Sequence, residues 1–322
     1  MQKSVIYFIT ALLIFLSGSC ATERYAVLEK KATVLTESLT IRVAVQEGQN
    51  SHIIELPLEE YLKGVLSSEM TDSWPIEALK AQAVVSRTYA ILKLLQNRNN
   101  LYDIEGTEIH QKFVYDVNNP RINSAIDATK SLVILYDGKP IEAFFHSSSG
   151  GITENCGDIF QQDLPYLRSI PDPYSRDHEN VSWTFQISER EIQASLKGIL
   201  NKEYEDLPLM NIEIYSRTGS GRVKEFYLVF SEKKTQIIKG NVVRLALDPK
   251  VFKSLLIQDI QRQEINGETL YMFSGFGYGH GVGLSQWGAR IMAQLGFTYD
   301  KIILFYYRGT ELGDYHMISF SE

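Results

Sequence analysis

Glu69 occupies a position where helical periodicity calls for an apolar residue. The segment LPLEEYLKGVLSSEM, residues 56 to 70, places Leu58, Leu62 and Val65 on one stripe. At 100° per residue, Glu69 falls within about 40° of each of them. A carboxylate on a buried face is costly unless it is hydrogen-bonded or protonated. Desolvation raises its pKa, as a general acid working near neutral pH requires. The alternative is that the helix ends here and Glu69 faces solvent. The following segment, SWPIEALKAQAVVSRTYAILKLLQNR, breaks its pattern in the same way: Arg87 lies on the stripe of Ile76, Leu79, Ala83, Ala90 and Leu94. Contact with Glu69 would lower that carboxyl's pKa and oppose an acid role. Arg87 is therefore expected near the pocket, directed at substrate or at another carboxylate; the plainer reading is a structural arginine tied to a helix end or a buried acid. Glu59 and Glu60 lie off the stripe of Glu69, and Glu77 suits the dipole of its helix's first turn.

Two other stretches offer ligand chemistry. HSSSGG, His146 to Gly151, presents an imidazole, three hydroxyls and backbone without side chains; such loops are also ordinary solvated turns. In GFGYGHGVGLSQWGA, Gly275, Gly277, Gly279, Gly281 and Gly283 alternate with larger residues. An extended chain would gather them on one bare face, where a ligand or another backbone comes close. The alternative is that the glycines serve tight internal packing. Trp287 and Met292 read as core. The spacing is not that of a phosphate loop.

The elements that must position these residues are mixed. Strands are expected around LTIRVAVQ and SHIIELP, helices from Pro57 and Pro75 and over INSAIDATKSL, and a hairpin over SLVILYDGKPIEAFF turning at Asp137-Gly138. SEREIQASLKGIL opens with a capping box, Ser188 and Glu191. Several strands are expected over 209–247, then a helix from about Ser285 to Leu295 and a last short helix before YYRGTEL. With no regular βαβ rhythm, the class is α+β.

The chain has 322 residues, a net charge of −7 and 22% charged residues, which gives no basic footprint for nucleic acid. Lys3, the run VIYFITALLIFL and SGSC ending at Cys20 read as an export signal (residues 1–20) with a lipobox-like end. Cys20 would be the lipidated residue and membrane anchor, although Leu16 lies four residues before it where three is usual. A plain signal peptide and an uncleaved anchor are the alternatives. Residues 21–35 read as a tether to a 36–318 body. That body holds one cysteine, Cys156, so no internal disulfide framework exists.

Three blocks resemble the SpoIID/LytB family, which includes stage II sporulation protein D and the amidase enhancers: residues 56–90, FFHSSSGGITEN, and GFGYGHGVGLSQWGARIMAQLGFTYDKIILFYYRGTEL. They occur in family order within residues 38 to 315; 175–270 matches loosely. The resemblance implies a peptidoglycan lytic transglycosylase acting on glycan strands stripped of stem peptides by an amidase. Glu69 matches the family's catalytic glutamate and Arg87 its essential arginine. His146, Ser147, Ser148, Ser149, Gly150, Tyr278, His280 and Gln286 become expected groove residues. A non-catalytic glycan-binding amidase enhancer is the competing function, and a zinc hydrolase a third. Some family members bind zinc near the second block; with only His146, Cys156 and His280 as donors here, and no closely spaced pair, no metal or other cofactor is expected.

Overall fold

The computed structural model describes residues 39–47, 50–107, 110–115, 117–160 and 162–318. The export signal, Cys20 and the tether lie outside them. Among the described residues no helix is long and apolar enough to cross a membrane.

The fold is α+β. Its first half runs β1 (Thr40–Glu47), β2 (Asn50–Pro57), α1 (Leu58–Glu69), α2 (Ile76–Gln96), β3 (Ile104–Glu105), α3 (Pro120–Asp127), β4 (Leu132–Tyr136), β5 (Lys139–Pro140), β6 (Phe145–His146) and α4 (Cys156–Phe160). Strands β1 and β2 form an antiparallel hairpin, with β3 parallel to the other edge of β1. Pro57 and Pro75 are the N-caps of α1 and α2; their fixed φ and absent N–H suit the entry to a helix. Helix α2 is the axis of the first core. Every residue from Ala81 to Ile91 is buried, so it is covered on all sides, and its alanines let the surrounding elements approach closely. Arg87 is thus enclosed. Asn119 caps α3 by accepting from Arg121 N and Ile122 N, ahead of Pro120 at the first helical position, so this helix starts and stops earlier than its apolar pattern suggests. The β4–β5 hairpin turns on Asp137 and Gly138, both at positive φ (49° and 71°), as a type I′ turn demands.

At Ser182 the chain enters a second core. It runs β7 (Ser182–Ser188), α5 (Glu189–Leu196), β8 (Leu209–Arg217), β9 (Val223–Phe230), β10 (Thr235–Lys239), α6 (Gly240–Ala246), β11 (Leu256–Ile265) and β12 (Glu268–Phe276). The sheets are β11-β12-β7 and β10-β9-β8, enclosing Trp183, Phe226, Phe230, Phe252, Tyr271 and Phe273. The capping box at Ser188 and Glu191 is formed. Residues 240–246, expected as strand from their valines, are helical. Val243 is buried in the second core and Gly240 lies against Val223 O, so tertiary packing outweighs local propensity. The chain leaves this unit beside where it entered, Phe276 pairing with Ser182. It rejoins the first core through β13 (Leu284–Ser285), α7 (Gln286–Gln294), α8 (Tyr299–Tyr306) and β14 (Glu311–Asp314). The single 36–318 body read from the sequence therefore contains two hydrophobic cores.

Candidate functional site

Helix α1 stops at Glu69: Met70 is extended, and its N–H closes the last turn on Leu66 O. Leu58, Leu62 and Val65 are buried as the stripe requires, while Glu69 is half-buried at its end. Across from it, Ser285 caps α7 by accepting from Gly288 N, which sets Gln286 in the first turn. Gln286 Nε2 lies 3.5 Å from both Glu69 O and Glu69 Oε2. The first and third blocks thus meet at the carboxylate.

Aromatic residues flank this meeting point. Trp287 is half-buried, stacked parallel to His178 at 4.4 Å and inclined to Trp74 at 5.4 Å. Arg290, one turn beyond Gln286, places its guanidinium 4.6 Å from the Trp287 ring centre and 5.3 Å from that of Trp74. Trp74 lies on the loop that follows Glu69, and Arg121 donates to its carbonyl. Met292 is core, as the sequence suggests; Trp287 packs partly buried against the same core, with His178 and Arg290 against its ring.

Behind this face the second and third blocks form a buried seam. Ser148 and Tyr278 exchange both backbone hydrogen bonds, and Trp287 N donates to Ser147 O. Ser149 Oγ donates to Asp172 Oδ2, which also accepts from Tyr306. Ser148, Ser175 and Ser285 are linked by hydroxyl contacts of 3.0 Å. His178 Nδ1 accepts from Asn180 N, so Nε2 carries the proton and donates to Ser148 Oγ at 2.8 Å. A ring that donates to the serine cannot remove its proton, so this pair is not an activated nucleophile. Burial pushes the His178 pKa down to about 4, which keeps the ring neutral at physiological pH.

The alternating glycines belong to this seam and do not form a bare wall. The chain is not extended past Phe276: Gly277, Gly279, Gly281 and Gly283 have φ between 75° and 104°. A Cβ on Gly283 would lie 1.9 Å from Phe144 O, on Gly277 2.7 Å from Ser148 O, and on Gly281 2.6 Å from the Arg222 guanidinium. Protein atoms already fill the space, so the packing alternative holds and the bare-face expectation is corrected. Arg222, fully buried and drawn from the second core, donates to Ile152 O, Ser149 O and Ser220 Oγ. Ser220 in turn donates to the buried Glu154. Desolvation lowers the Arg222 pKa to about 10.

The remaining predicted residues fall in three places. Arg87 is completely buried and bound through Nε and Nη2 to Glu59 at 2.9 and 2.7 Å, with further donation to Leu132 O and Ile126 O. Of the two expected targets, it is directed at another carboxylate. Tyr278 is half-buried under Lys253 Nζ, 5.7 Å from its ring centre. Gly150 lies against Gly277 at the seam. His146 and His280 share an aromatic nest with Phe144 and Phe160, their rings 5.6 Å apart. Burial holds the His146 pKa well below the usual value and pushes His280 down to about 3.

These histidines do not fit a zinc site. His280 Nδ1 is occupied by Val282 N and His146 Nδ1 donates to Val282 O, leaving His146 Nε2 as a buried atom without a partner. Among the described residues no group of three or more His, Cys, Asp or Glu is placed to hold a metal ion. Cys156 is separately buried, its thiol pushed up to about 11 by desolvation.

Sequence reasoning did not find Trp74, His178, Arg290 or Arg222. Arg290 carried a usable signal, since it shares a helical face with Gln286 four residues earlier. His178 and Arg222 lie in segments with no pattern pointing to the site.

The stage II sporulation protein (SpoIID) family model matches residues 46–136, and a domain family of unknown function (DUF8618) matches 167–283, spanning the second core. An uncharacterised protein of Brachyspira hyodysenteriae is 34% identical over 269 residues, covering 82% of this chain and 69% of that protein. Stage II sporulation protein D of Bacillus amyloliquefaciens is 30% identical over 292 residues, covering 85% and 79%. An amidase enhancer of Bacillus subtilis is 30% identical over 299 residues, covering 79% of this chain but 40% of that protein. The fold is an α+β scaffold in which the Glu69 carboxylate lies beside Gln286, where the first and third sequence blocks meet. This chain belongs to the SpoIID family.

Proposed function

We propose that the protein is a lytic transglycosylase that cleaves the N-acetylmuramic acid–N-acetylglucosamine bond of peptide-free glycan strands in the cell envelope. The observation that carries this reading is the placement of Glu69: half-buried at the end of α1, beside the Gln286 amide and a Trp74–Trp287–Arg290 face. Retaining and inverting glycosidases generally need two carboxylates. A transglycosylase needs one, because the muramic acid 6-hydroxyl attacks its own anomeric carbon. Glu69 protonates the departing glycosidic oxygen and, as carboxylate, then takes the proton from the 6-hydroxyl as the 1,6-anhydro ring closes. Gln286 holds the carboxylate by donating to it, and its amide can also engage an acetamido group. An amidase acting upstream supplies the strand, which fits the name of the Bacillus subtilis amidase enhancer.

That name also supports a second reading, a glycan-binding protein that aids an amidase without cutting. Mass spectrometry of peptide-free strands incubated with wild type and Glu69→Gln separates the two. The transglycosylase reading expects 1,6-anhydro ends from wild type, cleavage reduced about a thousandfold or more in the variant, and strand binding retained. Reducing ends would mean that water attacks. Intact strands that co-sediment with the wild type would establish the binding protein.

A further inference from the structure

We infer that Arg290 reads the free lactyl carboxylate of the N-acetylmuramic acid ring held at Glu69, and so makes the site selective for strands an amidase has processed; this rests on the transglycosylase reading. Removing the stem peptide converts the lactyl amide into a carboxylate on C3 of the ring whose C1 is attacked. Every processed muramic acid therefore gains a negative charge close to the reacting bond. A site that distinguishes the two strands needs a cation beside the catalytic carboxylate that is not already committed within the fold.

Arg87 is bound to Glu59, and Arg222 is spent on buried carbonyls and a serine. Arg290 differs from both. Its ion-pair partner among the described residues is the exposed Glu179, at 4.0 Å, and its own side chain is 27% exposed. Its Nε, like that of the fully enclosed Arg222, is buried without a hydrogen-bond partner. One helical turn separates it from Gln286, which puts their Cβ atoms about 5–6 Å apart on one face. The guanidinium lies beside the indoles of Trp287 and Trp74, which are inclined to each other at 58°. The N–H groups of a guanidinium lie in its plane, and that fork matches a carboxylate in two parallel hydrogen bonds. Glu179 is a weak internal anion that the lactyl group displaces.

The test measures binding in the Glu69→Gln background, so that no strand is cut. Amidase-treated glycan strands are compared with the same strands after carbodiimide conversion of their lactyl carboxylates to methylamides. The single variant should prefer free-acid strands by about tenfold or more, and Glu69→Gln/Arg290→Gln should bind both alike. Glu179→Gln, which leaves the aromatic stack intact, should tighten binding of free-acid strands alone by about twofold. Equal binding of both strands with Arg290 present, preference kept without it, or no response to Glu179→Gln would each overturn the inference. Binding of neither strand would overturn the glycan reading itself.

Discussion

Between residues 144–150 and 277–285 the chain forms a set of bonds closed on itself: Ser148 with Tyr278, Tyr307 with Phe144 O, Arg222 with Ser149 O. On the Glu69 face the contacts are longer and looser: Gln286 at 3.5 Å, Arg290 at 4.0 Å from an exposed glutamate. Both regions draw on the third sequence block. The difference teaches that a motif can mark either a group that meets a ligand or a group that holds the frame, and the length of the contacts it makes separates them. Most of HSSSGG and the glycine run hold the frame. Gln286 and Arg290 on the Glu69 face make longer contacts, at 3.5 and 4.0 Å.

The sharpest way to break this comparison is Gly283→Ala. Its Cβ would fall on Phe144 O at a φ of +75°, so we expect a loss of about 4 kcal/mol or more. That should read as failure to accumulate folded protein, or as a large drop in urea midpoint. A variant of wild-type stability would mean that the seam yields, and that its glycines serve something else.

Acid titration comes next. His146 and His280 are held neutral in the fold, with pKa values below the ordinary 6.5, so the unfolded chain takes up protons first as pH falls. Stability should be level above pH 6.5 and decline from there toward pH 5, before ordinary carboxylates titrate. Each buried histidine contributes roughly 1–2 kcal/mol to that loss. The buried Asp172, whose pKa is raised by desolvation, works in the opposite direction as it protonates. Urea melts of wild type and His280→Gln at pH 7.5, 6 and 5 check this: the variant should show a shallower decline, and parallel curves would refute the assignment.

The smallest effect is expected at Gln286. Gln286→Ala should leave stability within about 1 kcal/mol, because its contacts are long, and lower cleavage about tenfold by loosening Glu69. If it destabilised the protein as strongly as Gly283→Ala, Gln286 would belong to the frame.

Much of this was legible in residue patterns. Glu69 and Arg87 stood out because each interrupts a helical stripe, a local feature that needs no knowledge of the partner. Their fates diverged for a reason no stripe contains: Glu59, off the stripe by angle, is the carboxylate that reaches Arg87 from the neighbouring helix. The glycine run was misread because period-two spacing implies an extended chain, whereas left-handed φ values fold it against Phe144, Ser148 and Arg222. Arg222 could not be foreseen, since its targets are carbonyls some 70 residues away.

The pairing of Ser182 with Phe276 carries one more consequence. The second core begins and ends on adjacent strands, about 4.8 Å apart, so the chain could bypass nearly a hundred residues with a short turn. In evolutionary terms the unit is a detachable cassette, free to lengthen or diverge without shifting the register of the rest. Arg222 restricts that freedom, together with Thr218 and Ser220, which donate to Glu154. Any replacement cassette must still deliver a donor-rich group to Gly281, or Ser149 O and Ile152 O lose their shared donor.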